Sequence, residues 1–120
     1  MSITDMSNPK TSRQDVPTGT LDLLVLKTLD TMGPLHGYGI ARRIEQLAAG
    51  AMRLSQGSIY PALIRLEQQG WIAARWGLSE TNRKVKFYSL TRAGARQLER
   101  EVAQWQQATA LVARVLGAKA

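Results

Sequence analysis

The sequence contains no cysteine, and histidine and phenylalanine each occur only once among its 120 residues. Without cysteine there can be no disulfide framework and no thiolate metal site. The chain also lacks a run of about 18 apolar residues, the length that a membrane-spanning helix needs, and its N-terminus lacks the apolar segment of a signal peptide. These absences predict one small cytoplasmic domain.

Groupings typical of an enzyme are also missing. We find no nucleophile–base pair, no cluster of metal ligands and no phosphate-cradling glycine loop. His36 is the sole histidine and has no second histidine or cysteine to share a metal ion with, so a structural role at the start of a helix is expected. The sequence therefore predicts neither an enzyme nor a bound cofactor or metal.

Acidic residues are scarce in the middle of the chain. Between positions 42 and 96 there are ten arginines and lysines but only three glutamates, so this segment carries the whole net charge of +7. A polyanionic partner explains such clustering, because basic side chains neutralise phosphates and release counterions. The alternatives are a solvated basic surface and an anionic membrane. No helix pairs a basic face with bulky apolar residues outside the core, so no membrane partner is expected.

The segment from Ser55 to Gly70 predicts a short helix at the centre of the fold. A serine at position 55 or 58 can cap its start, and Gly70 suits the left-handed turn that ends a helix. The positions of Ile59, Leu63 and Leu66 form one apolar stripe, whereas Ser58, Pro61, Arg65 and Gln68 lie away from it. A polar, weakly basic face suits a helix that enters the DNA major groove. An ordinary amphipathic surface helix is the alternative.

The flanking pattern predicts a winged helix-turn-helix, a mainly α fold of the α+β class with a two-stranded wing. Apolar periodicity indicates helices from about residue 18 to 32 and from 36 to 50. Strand-like runs at 70–77 and 84–90 form a basic hairpin, and another helix opens at Thr91. We expect a disordered tail over residues 1–17, a DNA-binding domain over 18–90 and a C-terminal dimerisation helix over 91–120.

Three motifs resemble the PadR family of bacterial transcription regulators, in its subfamily with a short C-terminal helix. They are Leu35-His-Gly-Tyr-Gly-Ile40, Gly57-Ser-Ile-Tyr-Pro-Ala-Leu-Ile-Arg-Leu-Glu67 and Phe87-Tyr-Ser-Leu-Thr-Arg-Ala-Gly94. The resemblance runs from about Thr18 to the C-terminus. It implies that the hydroxyls of Tyr38 and Tyr60 lie near the DNA backbone, with the Tyr60 ring packed on the second helix. For Tyr38 a half-buried core position is the alternative.

The predicted DNA-binding residues come from both helices and the wing: Tyr38, Arg42, Ser55, Gln56, Gly57, Ser58, Tyr60, Pro61, Arg65, Arg83, Lys84 and Lys86. The wing departs from the family pattern of basic residues and glycines, because its tip reads Ser79-Glu-Thr-Asn-Arg-Lys84. We therefore expect contacts with phosphates there and not a deep insertion into the minor groove.

The last helix carries an apolar repeat with a spacing of four and three residues, which is typical of a helix–helix interface. Its members are Leu98, Val102, Trp105, Thr109, Val112 and Leu116. A helix from Thr91 to about Leu116 is longer than a small domain can cover, so we expect a homodimer interface. A helix folded back on its own domain is the alternative. Gly94 is expected to weaken the helix by about 1 kcal/mol relative to alanine.

Trp105 lies near the middle of this repeat. The resemblance implies that it stacks on a planar aromatic small-molecule effector, and simple packing at the interface is the alternative. The sequence thus predicts a dimeric regulator, a repressor, that binds a pseudo-palindromic double-stranded DNA operator. The second hypothesis is a nucleic-acid-binding or protein-interaction module without an effector.

Overall fold

The computed structural model describes residues 18–118, which form four helices and three strands. The tail predicted over residues 1–17 lies outside the described residues. In chain order these are α1 (Thr18–Met32), β1 (Leu35–His36), α2 (Gly37–Leu47), α3 (Gln56–Gln68), β2 (Ile72–Leu78), β3 (Lys84–Leu90) and α4 (Arg92–Leu116). The order matches the predicted winged helix-turn-helix. No helix in the described range is long and apolar enough to cross a membrane.

The core lies where α1, α2, α3 and the inner end of the sheet meet. Its fully buried side chains come from every one of these elements: Val25, Leu26, Ile40, Ile59, Leu63, Leu66 and Ile72. The predicted stripe of α3 is confirmed, since Ile59, Leu63 and Leu66 are all buried. Removing this apolar surface from water is the main force that holds the three helices together.

The start of α2 differs from the prediction. Leu35 and His36 form a short strand that pairs with β3, so the helix begins at Gly37. His36 is the residue before the helix, and its Nδ1 accepts a hydrogen bond of 3.0 Å from the Gly39 amide. The expected structural role of the histidine is confirmed. Two residues are too few for a strand to show alternation in the sequence, which is why β1 was missed.

The connection between α2 and α3 is held by a glutamate. The Leu54 amide donates a hydrogen bond of 2.6 Å to the Glu45 carboxylate, which fixes the chain just before α3 begins. Ser55 precedes the helix with an extended backbone, although its side chain makes no capping bond. Gly70 follows the helix with φ of 77°, the left-handed conformation expected of it.

The sheet is antiparallel, with strand order β1–β3–β2. Strands β2 and β3 form the predicted wing, in which Trp76 lies opposite Lys86 and Leu78 opposite Lys84. The register places these four side chains on the same face as Ile72 and Tyr88, which are buried. This face therefore runs from the core outward to the free end of the wing.

Helix α4 begins where the sequence predicts. Thr91 caps it by accepting a hydrogen bond of 3.0 Å from the Gly94 amide. The expectation that Gly94 merely weakens the helix is wrong, because Gly94 is buried and a Cβ there would overlap the carbonyl oxygen of Trp71. Glycine allows the helix to lie against the backbone at the root of the wing.

The apolar repeat of α4 divides into two parts. Leu98 is 5 % exposed and belongs to the core of its own domain, with Val102 packed beside it. The prediction that Leu98 lies in a dimer interface is therefore corrected, because the side chain is already covered. Every residue from Ala103 to Ala118 is exposed.

Candidate DNA-binding surface

A cleft with a volume of about 1140 Å³ lies between the wing and the first turns of α2 and α3. We call it the basic cleft. It brings together seven of the predicted DNA-binding residues, which are Tyr38, Arg42, Gln56, Tyr60, Arg83, Lys84 and Lys86. These residues come from three elements that are well separated in the sequence, so the fold assembles them on one surface.

Gly37 allows α2 and α3 to pack closely along the helical side of the cleft. The ring of Tyr60 lies against Gly37, where a Cβ would be only 3.3 Å from a ring carbon. The Tyr60 ring thus packs on α2, as expected, while the residue remains exposed. Tyr38 is more exposed, and the guanidinium of Arg42 lies 5.9 Å from the centre of its ring. Two tyrosines and an arginine therefore face the open side of the cleft.

The wing wall carries the positive charge. The Nζ atoms of Lys84 and Lys86 lie 5.3 Å and 5.7 Å from the centre of the Trp76 ring. Trp76 lines the cleft but was not among the predicted site residues. The alternation along the hairpin contained the signal, since Trp76 shares a face with both lysines once the register is known.

The tip of the wing is held by its own hydrogen bonds. The Ser79 amide donates to the Arg83 carbonyl over 2.8 Å, and the Arg83 amide donates to the Ser79 hydroxyl over 3.2 Å. Asn82 adopts φ of 62°, which completes the turn. These bonds fix the backbone at Arg83, whose side chain is exposed in the cleft.

Tyr88 closes the inner end of the cleft. Burial raises the pKa of its hydroxyl above the ordinary value of 10.0, and the nearby Glu67 and Tyr60 raise the pKa further. The hydroxyl can donate a hydrogen bond while it is protonated, and the raised pKa extends the protonated state to higher pH.

Four predicted residues lie beside the cleft without lining it. Ser55, Gly57, Ser58 and Pro61 are all exposed at the N-terminal end of α3. This end carries no acidic residue in its first turn, so the positive end of the helix dipole is not neutralised there. The free N-terminal end of α3 and the basic cleft together form one continuous candidate surface.

Arg65 lies outside the basic cleft, and its role as a direct DNA contact stays a prediction. Its guanidinium forms an ion pair with Asp22 of α1, with an N–O distance of 2.9 Å. The pair lines a second depression of about 730 Å³ between α1, the end of α3 and α4. Trp105, with 58 % of its surface exposed, lines the same depression. Arg65 thus joins α3 to α1.

A family model described as the transcriptional regulator PadR-like family matches residues 25–100. The chain belongs to this family. Members of the PadR-like family are transcriptional regulators, so DNA binding is the expected activity. The matched range includes all three tyrosines, the whole wing and the first turns of α4.

Solved structures of PadR-family proteins share the fold. A regulator from Eggerthella lenta is 32 % identical, with a TM-score of 0.70, over 84 % of this chain and 85 % of that one. A PadR-like regulator from Bacillus cereus is 26 % identical, with a TM-score of 0.71, over 84 % of this chain and 95 % of that one.

One relative is much longer than this chain. A 37.1 kDa protein encoded in transposon TN4556 of Streptomyces fradiae is 44 % identical over 84 residues, or 70 % of this chain. The match spans only 22 % of the length of that protein.

Proposed function

We propose that the chain is a transcriptional repressor that binds a pseudo-palindromic DNA operator as a homodimer. The observation that carries the proposal is the basic cleft, where two helices and the wing bring tyrosines, arginines and lysines to one concave surface. Such a surface matches the alternating phosphates and sugars of duplex DNA, which receive most protein–DNA hydrogen bonds.

In the proposed complex the N-terminal half of α3 enters the major groove. Its exposed residues Gln56, Gly57, Ser58 and Pro61 face the base edges, and Gln56 has the amide group that can pair with adenine. The hydroxyls of Tyr38 and Tyr60 donate to phosphate oxygens on either side of the groove. These contacts set the register of the protein on the duplex without reading its sequence.

The wing contributes charge to the complex. Arg83, Lys84 and Lys86 are all exposed and bind phosphates, which makes affinity depend on salt. Glu80 also lines the cleft near the tip of the wing. A carboxylate there disfavours deep entry into the negative potential of the minor groove, so the wing stays on the phosphate backbone in the proposed complex.

Dimerisation is proposed through the exposed half of α4, residues 103–116. It presents Trp105, Leu111, Val112, Val115 and Leu116 to solvent, and Leu116 is 80 % exposed. Contiguous apolar surface of this kind marks protein interfaces. Of the predicted interface residues, Val102 borders this surface and Thr109 lies within it. A two-fold dimer would place two α3 helices about 34 Å apart, one turn of the duplex.

Trp105 is also the proposed contact for a planar aromatic effector. Its exposed ring beside Gln104 and the 730 Å³ depression offers an aromatic face with polar groups at the rim. An effector can release DNA only by binding one arrangement of the two subunits better than the other. Quenching of fluorescence by planar aromatic compounds should be lost in Trp105→Phe and retained in Trp71→Phe.

Selection from a pool of random duplexes tests the main proposal. We expect enrichment of an inverted repeat with half-sites one duplex turn apart, and a footprint that covers both half-sites. Enrichment of single half-sites would overturn the dimer. Binding without any enrichment would favour a nucleic-acid-binding module that does not read sequence, and absence of binding would overturn DNA binding itself.

A further inference from the structure

Trp76 is the largest apolar side chain on the wing wall of the basic cleft, and the proposal above gives it no role. We propose that Trp76 is itself a DNA-binding residue. Its ring packs against a deoxyribose of the backbone, and Lys84 and Lys86 bind the phosphates that adjoin this sugar. This inference rests on the proposed DNA binding and specifies how the wing performs it.

The position of Trp76 follows from the register of the hairpin. Trp76 lies directly opposite Lys86 and diagonally opposite Lys84, on the face that continues inward to the buried Tyr88. The core ends at Tyr88, so 58 % of Trp76 is exposed to solvent. A large apolar ring is therefore held on an ordered strand at the surface, where the core does not use it.

Two positive charges lie beside this ring. Both ammonium groups are within 6 Å of its centre, at 5.3 Å and 5.7 Å, which is the range of cation–π attraction. Within residues 18–118 the ion pairs are Lys27–Asp30 and Arg65–Asp22, so no carboxylate there pairs with either wing lysine. The like charges repel each other, and a bound anion would relieve this repulsion.

The combination of ring and charges selects the kind of partner. A free phosphate would satisfy the lysines but leave the ring exposed to water. In a duplex the faces of the bases are stacked on one another, and the apolar surface that a ring at the backbone can reach is the sugar. A phosphodiester strand supplies the apolar sugar and the anionic phosphates in alternation, as the ring and the two lysines require.

Binding to a mixed-sequence duplex tests the inference, because a backbone contact does not require the operator. Trp76→Ala should weaken binding by roughly fivefold to tenfold, the weight of one aromatic contact with nucleic acid. Trp76→Phe should keep most of the affinity. The dependence of affinity on salt should be unchanged in both variants, since neither removes a positive charge. In a Lys84→Ala/Lys86→Ala variant the slope should fall by about two.

The control is Leu47→Ala. Leu47 is 64 % exposed, close to the 58 % of Trp76, but it lies at the end of α2 and does not line the basic cleft. Its truncation should leave the affinity for duplex unchanged. Duplex should quench the fluorescence of Trp105→Phe, which retains Trp76, and leave the fluorescence of Trp76→Phe unchanged. Inorganic phosphate should quench neither variant.

The outcomes separate this inference from the proposed function. If the wild type binds duplex and Trp76→Ala binds equally well, the ring makes no contact and the inference fails alone. If Trp76→Ala lowers the salt slope, the ring only positions the lysines, and the contact with the sugar is refuted. If the wild type binds no duplex, the proposed function fails as well.

Discussion

Gly94 lies where α4 touches the root of the wing. A methyl group at this position would overlap the Trp71 carbonyl oxygen and come within 2.9 Å of the Leu90 side chain. The sequence predicts the opposite effect of an alanine here, a more stable helix, because the local pattern shows the helix preference of glycine but not the group that faces it. The neighbouring carbonyl is 23 positions away along the chain, and only the packed structure brings the two together.

We expect Gly94→Ala to lower the free energy of unfolding by about 1–3 kcal/mol, the usual cost of overpacking. Helix preference alone would raise it by about 1 kcal/mol. Urea denaturation measures the difference. Gly39→Ala is the control, because a Cβ at position 39 would meet side chains at an ordinary 3.5 Å. A Gly94→Ala protein as stable as the wild type would show that α4 can move away from the wing.

Tyr88 predicts a loss of stability at alkaline pH. Its pKa is raised by burial and by nearby negative charge, whereas in the unfolded chain the hydroxyl ionises near pH 10. The stabilisation is therefore complete below about pH 10 and is lost as pH rises through the folded-state pKa.

Above pH 10 the wild type should lose stability relative to Tyr88→Phe by up to about 1.4 kcal/mol per pH unit. Denaturation curves for both proteins over a series of pH values provide the test, since the titration of lysines is common to both. Parallel curves throughout would contradict the raised pKa.

At the scale of elements, α3 is fastened to α1 by the Arg65–Asp22 pair, which joins residues 43 positions apart. The pair is partly exposed, so its contribution to stability is small, about 0.5 kcal/mol. Its proposed importance lies in the angle at which α3 meets the DNA. A basic residue on the polar side of a helix suggests a phosphate contact. The sequence alone could not reveal that the Asp22 carboxylate binds the Arg65 guanidinium.

Arg65→Ala should therefore weaken operator binding without changing the salt slope, because no phosphate contact is lost. The double variant Asp22→Arg/Arg65→Asp should recover much of the affinity by restoring an ion pair. Titrations at several salt concentrations measure both quantities. A fall in slope of about one for Arg65→Ala would restore the direct contact that the sequence predicted.

Helix α4 serves two purposes along its length. The sequence pattern predicted the whole helix and its cap at Thr91, but a single repeat of apolar residues could not show where the contact with the core ends. The structure divides the repeat after Val102, because the rest of the domain is too small to cover a helix of 25 residues.

The two parts should respond differently to mutation. Leu98→Ala should lower the free energy of unfolding by about 2–5 kcal/mol, as expected for a buried leucine. Val112→Glu should leave the folded domain intact and turn the proposed dimer into a monomer. Light scattering and thermal denaturation together distinguish these results. A wild type that is monomeric at micromolar concentration would remove the basis of the assembly prediction.

At the scale of the whole molecule, the concentration of charge between residues 42 and 96 indicated the partner before any contact was known. Apolar periodicity and two strand-like runs then predicted the order of the elements, and the winged helix follows from that order. The placement of individual side chains could not be predicted from the sequence. Trp76, for example, lines the cleft, and Arg65 lies away from it. Those positions depend on strand register and helix packing, which no local pattern specifies.

The junction between the wing and α4 is held by two hydrogen bonds and one close packing contact. The Thr91 amide donates to the Trp71 carbonyl over 3.0 Å, and the Thr91 hydroxyl donates to the Gly70 carbonyl over 2.7 Å, just before the tight contact at Gly94. From this junction the helix extends about 33 Å to Leu116, so a tilt of about 10° would displace its far end by about 6 Å. In the proposed dimer, a small rotation at this junction would thus produce a large change in the distance between the two DNA-binding domains. The contacts among Gly70, Trp71, Thr91 and Gly94 would then set the half-site spacing that the dimer can bind.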